Sequence, residues 1–262
     1  MFQHFYIQLN VFYQLLLRDL KVFLYHAVDN YINTLCWVLL SISVYQFIMP
    51  SMGFVYAGDF LLVGCVVSKA FFGVMDNVAR MVSDLHENKS ISYDMTLPIN
   101  HTLLFIKIAL SNAIYTCLLS ALILPTGKIL LWNYIQFPYF NLYKFCIIVC
   151  TSSLFGGFFS LFIISITKNV SQIEDAWNGI IHPLFCLGGF NFTWKVMYSI
   201  SPVMAYINLC NPVMYMFEGI RAATLDPAIS ISFWNCVSML IIMSIIIGYF
   251  SIKKLKKQLD AI

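Results

Sequence analysis

The chain has 262 residues, of which 60% are hydrophobic and only 10% charged, and its mean hydropathy is +0.81. Soluble domains average about 45–50% and 25% on those two measures. With 15 basic and 12 acidic residues set against 23 Phe, 15 Tyr and 5 Trp, the composition excludes a water-soluble domain, because no such surface could be drawn from so few charges. A net charge of +3, thinly spread, also argues against nucleic acid as a partner. Lipid is the solvent for most of this chain, and the sequence predicts an all-α integral membrane protein.

Apolar residues recur at Phe5, Leu9, Phe12, Leu16, Leu20 and Phe23, the spacing of one helical face, with Gln8, Arg18, Asp19 and Lys21 elsewhere around the helix. Residues 1–30 therefore read as a cytoplasmic amphipathic helix lying at the membrane surface. They show no short apolar core followed by a small-residue cleavage site, and so no removable signal peptide. Tyr31–Met49 follows without a charge; its length gives a rise of about 28 Å, enough for a hydrocarbon core of roughly 30 Å. Pro50 and Gly53 turn the chain, and Val55–Met75 is a second span despite Asp59 and Lys69.

Charge then concentrates between Asp76 and His101, in Asp76, Arg80, Asp84, Glu87, Lys89 and Asp94, up to Pro98. This is a solvent-exposed connection. Thr102–Leu124, Phe145–Thr167, a shorter Ala176–Phe190 containing Pro183, and Ser232–Ser251 complete six spans, so that residues 31–252 form the transmembrane domain. Residues 253–262 are a basic tail carrying Lys253, Lys254, Lys256 and Lys257. Residues 191–231 are too apolar for a plain outer loop and are interrupted by Pro202, Pro212 and Pro227. A re-entrant pair of short helices dipping into the outer leaflet fits them better than a span. With both termini inside, nine basic residues fall in cytoplasmic connections (Arg18, Lys21, Arg80, Lys89, Lys168, Lys253, Lys254, Lys256, Lys257) and four outside (Lys128, Lys144, Lys195, Arg221). The asymmetry places both termini in the cytoplasm, in what reads as a bacterial inner membrane.

No GxxxxGK[ST] loop, HExxH pair or GxSxG elbow occurs, and the eight cysteines contain no CxxC. The chain therefore reads as no enzyme, with no catalytic or metal-ligating set of its own, and any energy must come from a partner or an ion gradient.

Leu17-Arg18-Asp19-Leu20-Lys21, the six spans, Thr96-Leu97-Pro98-Ile99 closing the charged connection, and above all the run Asn211-Pro212-Val213-Met214-Tyr215-Met216-Phe217-Glu218-Gly219-Ile220-Arg221 resemble the type-two ABC export permeases. These are the membrane subunits of exporters for polysaccharides, lipo-oligosaccharides and drugs. The resemblance covers roughly residues 15–253. It implies two six-helix subunits, a homodimer or a pair with a related permease, around a central path. It also implies a cytoplasmic ABC ATPase that brings ATP and Mg to the complex, and no cofactor in this chain. The docking element would lie near His86–Leu97, with Asp84 and Glu87 flanking it and Asn88, Ile91 and Met95 sharing a helical face; a solvated charged loop is the alternative. At the other end, Asn211, Pro212, Tyr215, Glu218 and Arg221 would form an outer re-entrant clamp. Glu218 and Arg221 are three apart and so within ion-pair reach, and direct cargo contact is the sharper reading of the pair.

Charged and polar residues inside spans are functional candidates. Lys107 lies one turn into its span and can snorkel out to the cytoplasm. The lean of Lys69 aims it back toward the membrane centre, which leaves two readings, that it faces the translocation path or a buried acid, or that it snorkels against that lean. Asn178 and His182 are four apart on one face of the fifth span, either lining the path or bonding a neighbouring helix. Phe71-Phe72 and Phe158-Phe159 read as packing residues rather than sugar platforms, and Gly156-Gly157 as a point of close helix approach. The resulting expectation is an ABC export permease moving a lipid-linked, saccharide or amphiphilic molecule out of the cytoplasm or inner leaflet; the alternative is an ion-coupled secondary transporter or channel using Lys69, Asp59 and His182.

Overall fold

The computed structural model describes residues 2–48, 58–83, 93, 94, 96–130, 137–167, 169 and 171–259, without the side chains of residues 2–5 and 259. All regular structure among these residues is helical, as lipid requires: each backbone donor and acceptor must be satisfied within its own segment. The elements are α1 (Phe2–Tyr25), α2 (Ala27–Ser43, running into a π-helical turn Val44–Ile48), α3 (Gly58–Ser83), α4 (His101–Leu130), α5 (Leu142–Ile166), α6 (Ser171–Ala176), a π turn Trp177–Ile181, α7 (His182–Leu187), α8 (Trp194–Ile200), α9 (Pro202–Asn208), α10 (Pro212–Thr224), a 3-10 turn Pro227–Ile229, and α11 (Phe233–Leu259).

Among the described residues, five helices are long and apolar enough to cross a membrane: Ala27–Ile48, Gly58–Ser83, His101–Leu130, Leu142–Ile166 and Phe233–Gln258. Three of them run well past the expected spans. α3 continues through Asp76 and Arg80, α4 passes through Pro125, and α11 takes in all four lysines of the expected tail. Helical backbone is not confined to hydrocarbon, so hydropathy locates a span but not where its helix ends. The segment expected as the fifth span is a short composite of α6, the π turn and α7 rather than one long helix. Pro183 has no N–H to give Gly179, and the turn widens so that the His182 N–H bonds Trp177, five residues back.

α5 is the hub, packed against α3, α4, α10 and α11. Its Gly156-Gly157 pair makes this possible: a Cβ at Gly156 would stand 2.7 Å from the Ala70 carbonyl, and one at Gly157 would collide with the Ala109 carbonyl. In lipid, where apolar contact gives helices no reason to associate, such small residues permit the backbone approach that does. Phe71 and Phe159 stack at 5.9 Å within the main core, as expected of packing residues. A second, smaller core joins α1 to the start of α4 through Leu15, Ile99 and Leu104, with Val11, Phe12, Leu97 and Leu103 around it.

Candidate functional site

At the end of the bundle that bears the 84–100 connection, four charges from three elements meet. The Arg18 guanidinium of α1 donates to both carboxylate oxygens of Asp94, at 2.8 and 2.7 Å, and to Asp19 Oδ1 at 3.1 Å. From α4, Lys107 Nζ donates to Asp19 Oδ2 at 2.7 Å and to Asp94 Oδ2 at 3.2 Å. Lys107 and Asp94 are almost wholly buried. Two cations and two carboxylates balance, and a paired arrangement is what burial at this depth demands. The hydrogen bond to Asp94, opposed by burial and helped by both carboxylates, pushes the Arg18 pKa up. Burial works against the Asp94 charge, but the Arg18 hydrogen bond and the nearby Lys107 outweigh it and hold that carboxyl below its usual range. Beside the cluster lies a cavity of about 740 Å³ lined by Val22, Phe23, Arg80, Leu104, Ile108 and Ser111 among others; Phe23 stacks under the Arg80 guanidinium at 3.9 Å.

This cluster corrects one sequence expectation. Lys107 does not snorkel out to water, because two carboxylates lie nearer than solvent. Arg18 stays partly exposed while its guanidinium reaches Asp94, and Asp19 reaches Lys107. The signal that could have found the cluster was present: two unpaired charges next to an apolar face, and a lysine one turn inside a span.

Between α2 and α3 lies a polar cleft of about 270 Å³ lined by Asn30, Asn33, Thr34, Trp37, Lys69, Phe72 and Asp76. Lys69 Nζ stands 3.5 Å from Asp76, two turns further along the same helix. The lysine thus bends against the lean of its helix to meet an acid. Trp37 and Phe72 meet edge to face at 6.0 Å on the cleft wall.

At the opposite end, α10 is buried along its whole length. Asn211 caps it, accepting from the Val213 N–H at 3.0 Å and donating to the Leu184 carbonyl at 2.8 Å; Pro212 follows at the first helical position, where its missing N–H is harmless. Tyr215 donates to the Leu209 carbonyl at 2.7 Å. The pairing expected of Glu218 and Arg221 is loose, at 3.8 Å, because each has better partners in the backbone. Glu218 accepts from the Trp194 N–H at 3.0 Å and the Ile231 N–H at 2.8 Å. Arg221 donates to the carbonyls of Phe192 at 2.9 Å and Phe190 at 2.8 Å, its guanidinium 3.7 Å above the Phe60 ring. The spacing of two identities three apart suggested a pair; the backbone of distant turns, which carries no residue-type signal, turned out to be the larger partner.

Asn178 and His182 are both exposed, and His182 lies beside Cys186, with Nε2 3.6 Å from Sγ. Neither lines the cleft or joins the charged cluster. Asp84, Glu87, Asn88, Ile91 and Met95 lie outside the described residues. Among the described residues no group of three or more His, Cys, Asp or Glu could hold a metal ion.

No curated protein matches the chain. The family model described as ABC-2 type transporter matches residues 10–225, from within α1 to just past the buried α10. The match takes in both charged ends of the bundle. An integral membrane subunit with no ATPase site of its own, working with a cytoplasmic ABC ATPase, is what that family comprises, and the chain belongs to the ABC-2 type transporter family.

Proposed function

We propose that this export permease subunit moves a lipid-linked, saccharide or amphiphilic molecule from the cytoplasm or inner leaflet to the far side of the membrane. In this reading two copies pair around the path, the α6–α7 segment completes a sixth span, both termini are cytoplasmic, and an ATPase carrying ATP and Mg docks near residues 86–97, with Asp84, Glu87, Asn88, Ile91 and Met95 as its contacts. ATP-driven closure of the two ATPases then pulls on that connection and tilts the helices.

The observation that carries the reading is the cleft between α2 and α3. Asn33, Thr34 and Lys69, which lie within the expected spans, line it together with Asn30 and Asp76, and polar groups within a span facing hydrocarbon would be costly. A path shared with a second copy, or water within it, removes that cost. Asn178 and His182, polar and exposed on a membrane-embedded segment, belong to the same path-facing side. Asn211, Pro212, Tyr215, Glu218 and Arg221 act as the outer clamp, holding the far end of the path in one shape rather than gripping cargo, since the side chains of Asn211, Tyr215, Glu218 and Arg221 all bond backbone groups.

The test is co-purification. The tagged chain, extracted in detergent from its host membranes, brings down an ABC ATPase, and an Asp84→Lys plus Glu87→Lys variant brings down several-fold less. Undiminished recovery from that variant sinks the docking assignment. Solute uptake by vesicles holding the chain alone, driven by a proton or sodium gradient, sinks the ATPase-driven reading.

A further inference from the structure

We propose that the cavity beside the charged cluster binds one anionic phospholipid, its headgroup phosphate held by Arg80 and its acyl chains leaving along apolar walls. The choice of leaflet, the cytoplasmic one, rests on the orientation given under the proposed function. At about 740 Å³ the cavity falls in the range of roughly 300–1,000 Å³ that ligand pockets occupy. It lies between α1, α3 and α4, and its lining divides by chemistry. Val22 and Phe23 of α1 and Leu104 and Ile108 of α4 supply apolar walls. Arg18, Arg80 and Lys107 set three cations against the two carboxylates of Asp19 and Asp94, so one positive charge is left over.

The surplus belongs to Arg80. Asp19 and Asp94 are held by Arg18 and Lys107 at between 2.7 and 3.2 Å, and Asp76, one turn before Arg80, meets Lys69 at 3.5 Å. Arg80 donates from Nε to the Asp76 carbonyl at 3.2 Å and from Nη2 to Asn77 Oδ1 at 3.5 Å. Among the described residues its Nη1 has no acceptor and its guanidinium no carboxylate. Phe23 covers one face of that guanidinium at 3.9 Å, which fixes its plane and leaves an edge of N–H donors for a ligand. A planar set of donors without an anion of its own matches a phosphate, whose oxygens accept two such bonds at once.

Depth and access agree with a lipid. Arg80 stands in the last turn of a helix able to cross the membrane, the level at which headgroups lie. Val22, Ala79 and Arg80 are exposed, whereas Leu104 and Lys107 behind them are buried, so the site opens outward. A basic pocket between helices at headgroup level favours anionic over zwitterionic lipid. The apolar walls decide against a free ion, which has no tails to cover them. The occupant is therefore a membrane lipid of net negative charge, for which phosphatidylglycerol is the simplest probe.

The experiment titrates the full chain, purified in detergent with any ATPase that accompanies it, with phosphatidylglycerol, phosphatidylcholine or inorganic phosphate, and reads bound lipid by native mass spectrometry. The first phosphatidylglycerol binds at least fivefold more tightly than phosphatidylcholine. Arg80→Gln abolishes that preference, and Ala79→Phe, which fills the mouth without changing charge, weakens both lipids. Lys254→Gln, in the basic end of α11, leaves the first site as it was. A first site indifferent to headgroup charge, or unaltered in both Arg80→Gln and Ala79→Phe, overturns the assignment, as does an equal loss in Lys254→Gln, the sign of unspecific charge attraction. Displacement of the lipid by inorganic phosphate, or preference for a polyprenyl phosphate over phosphatidylglycerol, also overturns it, by marking a free-ion site or a cargo site. Orientation is read separately: cleavage of an N-terminal tag by protease added to intact spheroplasts overturns the cytoplasmic placement, which the titration in detergent does not depend on, and so distinguishes the two failures.

Discussion

Replacing Glu218 isolates the physics of its buried backbone contacts. Its two carboxylate oxygens receive the N–H groups of Trp194 and Ile231 at 3.0 and 2.8 Å, with Arg221 at 3.8 Å as the nearest cation. In Glu218→Gln one oxygen survives, but the amide NH2 faces a second donor, leaving one buried N–H unpaired at a cost of about 1–3 kcal/mol. Arg221 also loses its counter-charge, although its two carbonyl partners remain. The loss of attraction is offset in part because a carboxylate no longer has to be desolvated. A net loss of about 3 kcal/mol follows, and at about 2–4 °C per kcal/mol for a chain of this size the apparent Tm falls by about 6–12 °C. Glu218→Ala orphans both donors and opens a void, a loss of about 5 kcal/mol or more, so that little monodisperse protein is recovered. Thermal unfolding of the detergent-purified protein, followed by tryptophan fluorescence, reads both. A Gln variant within about 2 °C of wild type would show that the two backbone contacts do not hold the segment, and would refute the clamp.

Lys69→Met behaves oppositely. The half-open contact with Asp76 at 3.5 Å is worth about 0–1 kcal/mol, so Tm changes little, while ATP-dependent export in cells falls at least several-fold; unchanged export removes Lys69 from the path. Gly157→Leu drives a side chain into the Ala109 carbonyl and costs about 3 kcal/mol or more through overpacking, measured as loss of monodisperse protein on gel filtration, whereas exposed Gly179→Ala, which meets nothing within 4 Å, is neutral at the same readout. The Arg18–Asp94 joint is acid-resistant. Because the folded Asp94 pKa lies below its unfolded value, its contribution is complete above the ordinary carboxylate pKa of about 4 and is lost only as pH falls through the lower folded value. Amide exchange in α1, corrected for the intrinsic pH dependence of exchange, therefore stays flat from about pH 7 to about pH 5, and a corrected rise already at about pH 6 contradicts the sign.

Membrane character, a helical start and the positions of five long helices were legible in the sequence because hydropathy and helical period are local properties. Sharper features were not. Residues 44–48 and 177–181 adopt π turns, and only the second has a sequence cause in sight, Pro183. Glu218 and Arg221 were recognisable as a motif, yet their partners are peptide groups of Trp194, Ile231, Phe190 and Phe192, which identity and spacing cannot reveal. Lys107 was misread for a related reason. Its carboxylates lie 88 and 13 residues away, and a side chain's lean along its own helix says nothing about what another helix brings to meet it.

The donors to Glu218 come from opposite sides of it in the chain, one 24 residues earlier and one 13 residues later. While residue 231 is still within the ribosome or translocon, one carboxylate oxygen of Glu218 lacks its donor. The segment from Trp194 to Ile231 cannot settle until the start of the final helix has been released. Assembly therefore finishes from the C-terminal side, and a chain cut short before Ile231 would leave one carboxylate oxygen of Glu218 without its backbone donor, a mark by which membrane proteases could tell unfinished copies from finished ones.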